Sequence, residues 1–184
     1  RSRGAQTMTN LLIAFAALLG ATTQPASLRV TLDADAREIV FHNQTDCELV
    51  VVKPVDGAGE SMRAVYYTWE VTRDGKPLAP FAVTRCGNVN GYRVEDFIVL
   101  APRAATRIRI DDSFLRPPEQ AYPMRDPGEY TVWLHYHYDR QRPEQGLAMG
   151  EPDAATRALL ERAEEVQIVS DPVAWTPRAR PASE

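Results

Sequence analysis

The chain has 184 residues, 44% hydrophobic and 25% charged, with a formal net charge of −4 at pH 7. That length suits one domain with a real core better than two, and the composition excludes wholesale disorder. No run of basic residues occurs, which argues against nucleic acid or an anionic membrane surface as a partner.

The opening segment, residues 1–26, has Arg1 and Arg3, an apolar run from Leu11 to Leu19, and small residues around Gly20 to Thr23. This is the layout of a secretory signal peptide. The apolar run is about half the roughly 20 residues that a spanning helix requires, so no membrane span is expected once the signal is removed. The protein is therefore expected to be exported, in the periplasm or outside the cell.

From there the pattern has period two. "SLRVTL" (27–32), "REIVFHN" (37–43) and "CELVVVK" (47–53) are short and rich in β-branched residues, with Asp, Asn, Gln and Thr between them. Asn43-Gln44-Thr45 matches a glycosylation sequon, which matters in a eukaryotic secretory pathway. Cys47 and Cys86 are the two cysteines. An oxidising compartment favours a disulfide between them, which a chain-entropy argument values at about 3–4 kcal/mol. The alternative is two buried thiols acting as small hydrophobes. Without CxxC spacing they do not suggest zinc.

"YYTWEVTRDGKPL" (66–78) contains Asp74-Gly75, a strong signal for a two-residue hairpin. "CGNVNGYRVED" (86–96) follows, and Asn88, Asn90, Glu95 and Asp96 could offer oxygens to Ca²⁺. The spacing lacks the regularity of a dedicated calcium loop, and Asn-Gly is first a turn former. "DFIVLAPRAATRIRI" (96–110) predicts two short strands around Pro102. Residues 113–128 hold four prolines and read as an irregular surface crossing.

"DPGEYTVWLHYHYD" (126–139) is the most informative stretch. Pro127-Gly128 predicts a type II turn that launches a strand. Alternation then puts Tyr130, Val132, Leu134, Tyr136 and Tyr138 on a core face, with Thr131, Trp133, His135 and His137 opposite. The two imidazoles share a face and could reach one copper or zinc ion, with His42, a carboxylate or a methionine as third ligand. A solvent-facing histidine pair with no function is the plainer reading.

Between 139 and 164 the strand pattern stops. "DAATRALLERAEE" reads as a helix capped by Asp153, with Ala155, Leu159, Ala163 and Val166 along one face. Connections of this length are usually functional or locally structured, and deletion of 141–162 is expected to leave a folded domain. "EEVQIVSDPVAW" closes the domain, and 177–184 is expected to be a disordered tail. No catalytic constellation emerges: "GESMR" (59–63) lacks the last glycine of a nucleophile elbow, and no Gly-rich phosphate loop occurs.

Eight or nine short strands predict an all-β fold over 27–176, an antiparallel β-sandwich with a helical insertion at about 139–164 before the last strand. Two residues give it a family likeness. Tyr130, just after a turn, resembles the tyrosine corner of immunoglobulin-like sandwiches, and Trp69 resembles their core tryptophan. Val132 stands where an antibody domain has its second core cysteine, so Cys47 and Cys86 do not reproduce that bridge. The blocks "FHNQTDCELVVVKPVDG", "YYTWEVTRDGKPL", "RCGNVNGYRVEDFIVLAP", "PGEYTVWLHYHYD" and "VSDPVAW" together resemble uncharacterised exported bacterial proteins with an immunoglobulin-like fold. In "LAPRAAT", Arg103 replaces the glycine such proteins often carry, so that turn need not be type II. The resemblance implies fold and export but no reaction. The expected function is a non-enzymatic exported binding or structural module. It would contact an unknown protein or polysaccharide through sandwich loops and the 139–164 insertion, without a cofactor. The alternative is periplasmic copper or zinc handling by His135 and His137.

Overall fold

The computed structural model of the chain describes residues 27–53, 66–81, 89–110, 117–140, 148–149 and 151–178. Strands dominate and pair almost throughout in antiparallel fashion, so the all-β expectation holds. β1 (Leu28–Asp33) and β2 (Glu38–Asn43) form a hairpin in register from Leu28↔Asn43 to Asp33↔Glu38. Its turn is tied by Asp33 Oδ1, which accepts from the Ala36 N–H at 2.9 Å, and Arg37 adopts a left-handed φ of 57°. The other edge of β2 pairs with β8 (Ala105–Arg109). Further along the same two chain segments, β3 (Leu49–Val52) pairs with β7 (Phe97–Leu100).

A second sheet is built on β9 (Tyr130–Tyr138). β4 (Tyr67–Arg73) pairs with it from Tyr67↔Tyr136 to Arg73↔Tyr130, and β5 (Lys76–Pro77) folds back on β4 through Asp74 and Gly75. Both turn residues have positive φ, 50° and 73°, as a type I′ hairpin requires. Gly75 supplies one without steric cost, and Asp is among the residues that tolerate the other. Additionally, β6 (Val89–Asn90) and β10 (Ala148–Met149) make a two-residue parallel ladder.

The closing segment makes two strands where one was expected. β11 (Val166–Val169) and β12 (Val173–Trp175) both pair with β9, and the break falls at Asp171-Pro172. Proline has no N–H to give the ladder, so the strand cannot run through it. Ser170 bridges the gap: its N–H donates to the Leu134 carbonyl at 2.9 Å, and its hydroxyl accepts from the Leu134 N–H at 3.0 Å. The helical insertion therefore precedes the last two strands, not the last one.

β9 buries Tyr130, Val132, Leu134, Tyr136 and Tyr138 and leaves the alternate residues half-buried, as its period-two pattern demands. The two sheets share one core: Phe41 of β2 meets the Tyr136 ring edge-to-face at 5.5 Å between centroids. β3 departs from alternation, because all four of its residues are buried. The cause is α2 (Ala154–Arg162), whose C-terminal end covers the free edge of β3. Val50 bridges to Ala163 in parallel, and the Glu164 N–H donates to the Val50 carbonyl at 2.8 Å. A strand edge covered in this way cannot pair with another chain.

Asp153 caps α2 as expected, its carboxylate accepting from the Thr156 N–H at 2.8 Å. The inward face differs from the expected one. Ala155 is exposed and Thr156 is buried, with Leu159, Leu160 and Ala163 completing the docked side. Positions 156, 159, 160 and 163 follow the i, i+3, i+4, i+7 spacing of one helical face, and Ala155 lies off it. Deleting 141–162 would thus remove a helix packed on the core through Leu159 and Leu160 rather than trim a free loop.

Three further stretches bear on the sequence reading. Gly128 has φ +159°, far from the roughly +80° of a type II turn. Its need is room, since a Cβ there would lie 2.8 Å from Arg73 Cγ. Arg103, by contrast, does adopt a left-handed φ of 58°, and the Ala104 N–H closes the turn onto the Ala101 carbonyl at 3.1 Å. The proline-rich crossing is not wholly superficial either. It contains α1 (Pro118–Ala121), and Tyr122 and Met124 are buried behind it, with the Tyr122 hydroxyl donating to the Trp69 carbonyl.

Candidate functional site: the outer face of the β4–β9–β11 sheet

The residues opposite the core face of β9 are gathered by register with those of its neighbours. Thr72 lies across from Thr131, Glu70 from Trp133, and Thr68 from His135. On the other edge, Val169 lies across from His135 and Gln167 from His137. Glu70 Oε2 sits 2.8 Å from His135 Nε2, with the side chains 53% and 37% exposed respectively. A contact so open to water contributes about 0–1 kcal/mol, so its main effect is to orient the imidazole.

His42 does not join this pair. It lies on β2 in the other sheet, cross-strand from Arg29, with its Nε2 3.0 Å from Thr31 Oγ1. Partial burial, and then the positive charges of Arg29 and Arg107, hold its pKa below the usual histidine value. Among the described residues, no three His, Cys, Asp or Glu side chains are grouped to hold a metal ion.

The calcium candidates are likewise not brought together. Asp96 is buried, and its Oδ2 accepts from the Arg93 N–H at 2.7 Å, closing the 3₁₀ turn Val94–Asp96. Glu95 is exposed on that turn, Asn90 lies on β6, and Asn88 falls outside the described residues. Cys47 is exposed, while Cys86, residues 1–26, where a signal peptide was expected, and residues 179–184 also lie outside them. No helix of the described residues is long and apolar enough to cross a membrane.

Trp69 is buried on β4, and its ring lies 6.3 Å from that of Trp175. The Tyr130 hydroxyl donates to the Asp126 carbonyl, four residues upstream, at 2.6 Å.

Two polar clusters escaped the sequence reading. The buried Asn43 amide donates to the carbonyls of Cys47, Leu100 and Ala101 at 2.7, 3.1 and 2.9 Å. Its Oδ1 accepts from the Thr45 N–H and hydroxyl at 2.9 and 2.8 Å. The amide that a glycan would occupy is thus committed to the fold. The local signal was present, because Asn with a hydroxyl residue two positions on is also an Asx-turn pattern. The second cluster pairs buried Arg37 with Glu119, which also accepts from Trp175 Nε1 at 3.0 Å. The guanidinium lies 4.6 Å from the centre of the Trp175 ring. No sequence signal links these three, since they come from a hairpin turn, a proline-rich crossing and the last strand. Both clusters are internally satisfied and act as fasteners.

Known protein-family models and curated proteins offer no match to this chain.

Proposed function

We propose that the protein is a non-enzymatic exported binding module on an immunoglobulin-like β-sandwich, related to the uncharacterised exported bacterial proteins its sequence blocks resemble. The strand order supports the fold. β1, β2 with β3, and β7 with β8 correspond to strands A, B and E of that architecture, while β5, β4, β9 and β11 correspond to C′, C, F and G. Trp69 on the C-like strand and the Tyr130 hydroxyl bond to Asp126 agree with this assignment.

The observation behind the binding role is the shape of the insertion. α2 docks through Thr156, Leu159 and Leu160 and turns Ala154, Arg157, Ala158 and Glu161 outward around a shallow depression of about 280 Å³. Function on a connection held by a rigid scaffold is the usual division of labour. The copper or zinc alternative is weaker, because Glu70 already occupies His135 Nε2 and no third ligand is grouped with the pair among the described residues.

The test is affinity capture from the native cell envelope with the wild type and an Arg157→Glu/Glu161→Arg variant of matched circular dichroism. Loss of the captured partner in the variant supports the insertion as contact surface. Equal capture by both proteins sinks it.

A further inference from the structure

We propose that the outer face of the β4–β9–β11 sheet is a glycan-binding platform centred on Trp133. This rests on the reading of the chain as a binding module and adds to it a second face, separate from α2, with a ligand class of its own. The sequence pattern places an indole where the sheet turns away from its core, and the register surrounds it with polar groups. Glu70 is its direct cross-strand neighbour on β4, and Thr131 and His135 flank it along β9. Glu70, Thr68 and Gln167 are exposed and Trp133 is half-buried, so these positions of the face reach solvent and the indole is partly exposed among them.

The composition of the face selects among ligands. No Lys or Arg occupies a registered outward position on β4, β9 or β11, so phosphate-bearing polymers find no cation there. Trp133 and Val169 are the apolar members, too few for the apolar centre of a stable protein interface burying about 800 Å² per partner. A neutral polyhydroxylated ligand fits what remains. The C–H face of a sugar ring stacks on an indole, which offers an apolar surface with little rotamer freedom to lose. Sugar hydroxyls can donate to the Glu70 carboxylate, and such charge-assisted hydrogen bonds are shorter and stronger than neutral ones. Imidazole and threonine hydroxyl groups can both donate and accept.

The Glu70–His135 bond at 2.8 Å fixes the carboxylate beside the indole before a ligand arrives, which lowers the ordering cost of binding. From Thr131 to His137 the outward row runs about 20 Å at the usual rise per strand residue, enough for a short oligosaccharide.

The experiment is co-sedimentation of the full chain with insoluble peptidoglycan, chitin and cellulose. It is paired with tryptophan fluorescence titration using soluble oligosaccharides of the polymer that binds. The wild type is expected to sediment with at least one polymer. Trp133→Ala should reduce binding by tenfold or more, Trp133→Phe by less, and Glu70→Gln by several-fold. Glu70→Gln keeps the side-chain shape, so a loss there in a protein of unchanged thermal midpoint reports ligand contact and not folding. Asp35→Asn, in the exposed β1–β2 turn, should sediment like the wild type. Absence of wild-type binding to all three polymers overturns the proposal, as does undiminished binding by Trp133→Ala. A fluorescence response to Cu²⁺ or Zn²⁺ without one to any glycan also overturns it. A partner lost only in the Arg157/Glu161 variant, with no glycan bound, would overturn the platform and leave the binding-module reading standing.

Discussion

Replacing Asn43 should be among the most damaging single changes to this domain. The side chain fills the point where β2 gives way to β3 and β7 gives way to β8, and it satisfies carbonyls on both segments. Asn43→Ala removes both amide protons and the oxygen that receives two Thr45 donors. At a net of about 1 kcal/mol per hydrogen bond, four fully used bonds come to about 4 kcal/mol. Water can reach the exposed Cys47 and half-buried Thr45 groups and recover part of this, which leaves a cost of about 3 kcal/mol. Asn43→Asp is nearly isosteric but faces three carbonyl oxygens with a carboxylate, so at pH 7 it should cost at least as much. Burial and those carbonyls would raise the pKa of the introduced carboxyl in the folded state. Its deficit should therefore shrink as pH falls through that raised value, because protonation restores one donor. Urea unfolding followed by tryptophan fluorescence at pH 7.5 and 5 reads both effects. An Asn43→Ala cost below 1 kcal/mol, or a larger Asn43→Asp deficit at the lower pH, would refute the reasoning.

Four other outcomes follow from the same structure. Glu119→Ala strands the buried Arg37 guanidinium, and breaking such a pair should cost about 3 kcal/mol in the same unfolding assay. Tyr130→Phe keeps the ring but loses the hydroxyl bond to the Asp126 carbonyl, for an expected loss of about 1 kcal/mol. Gly128→Ala drives a Cβ into the Arg73 stem and should destabilise by about 1 kcal/mol or more. Adding Arg73→Ala should return part of that loss, as a double-mutant cycle will show. For His42, the folded state binds its proton less readily than the unfolded chain, so stability should fall as pH drops below the usual 6.5. His42→Gln should flatten that dependence in thermal melts from pH 7.5 to 5.

Much of the scaffold was legible in the chain. β9 announces its two faces because nine residues alternate without a slip. Asp74-Gly75 announces its hairpin because type I′ geometry needs positive φ twice. Asp153 announces the start of α2 because a carboxylate there meets an N–H that the helix leaves unpaired. The candidate site was half-legible: its β9 row could be read off alternation, but Glu70 and Gln167 could not be assigned as neighbours of Trp133 and His137 before strand register was known. His42 could equally have been a partner of His135 until the sheets separated them.

Strand period, the Asp74-Gly75 hairpin and the Asp153 cap could be read from the chain, since each depends on groups within a few residues of one another. The pairing of distant segments alone decided that β3 is buried on every residue, that the Asn43 amide ties β3 to β7, and that Arg37 finds Glu119 and Trp175. Those outcomes depend on which distant segments pair and in which register, and a buried polar group is stable only where such a pairing supplies its partners.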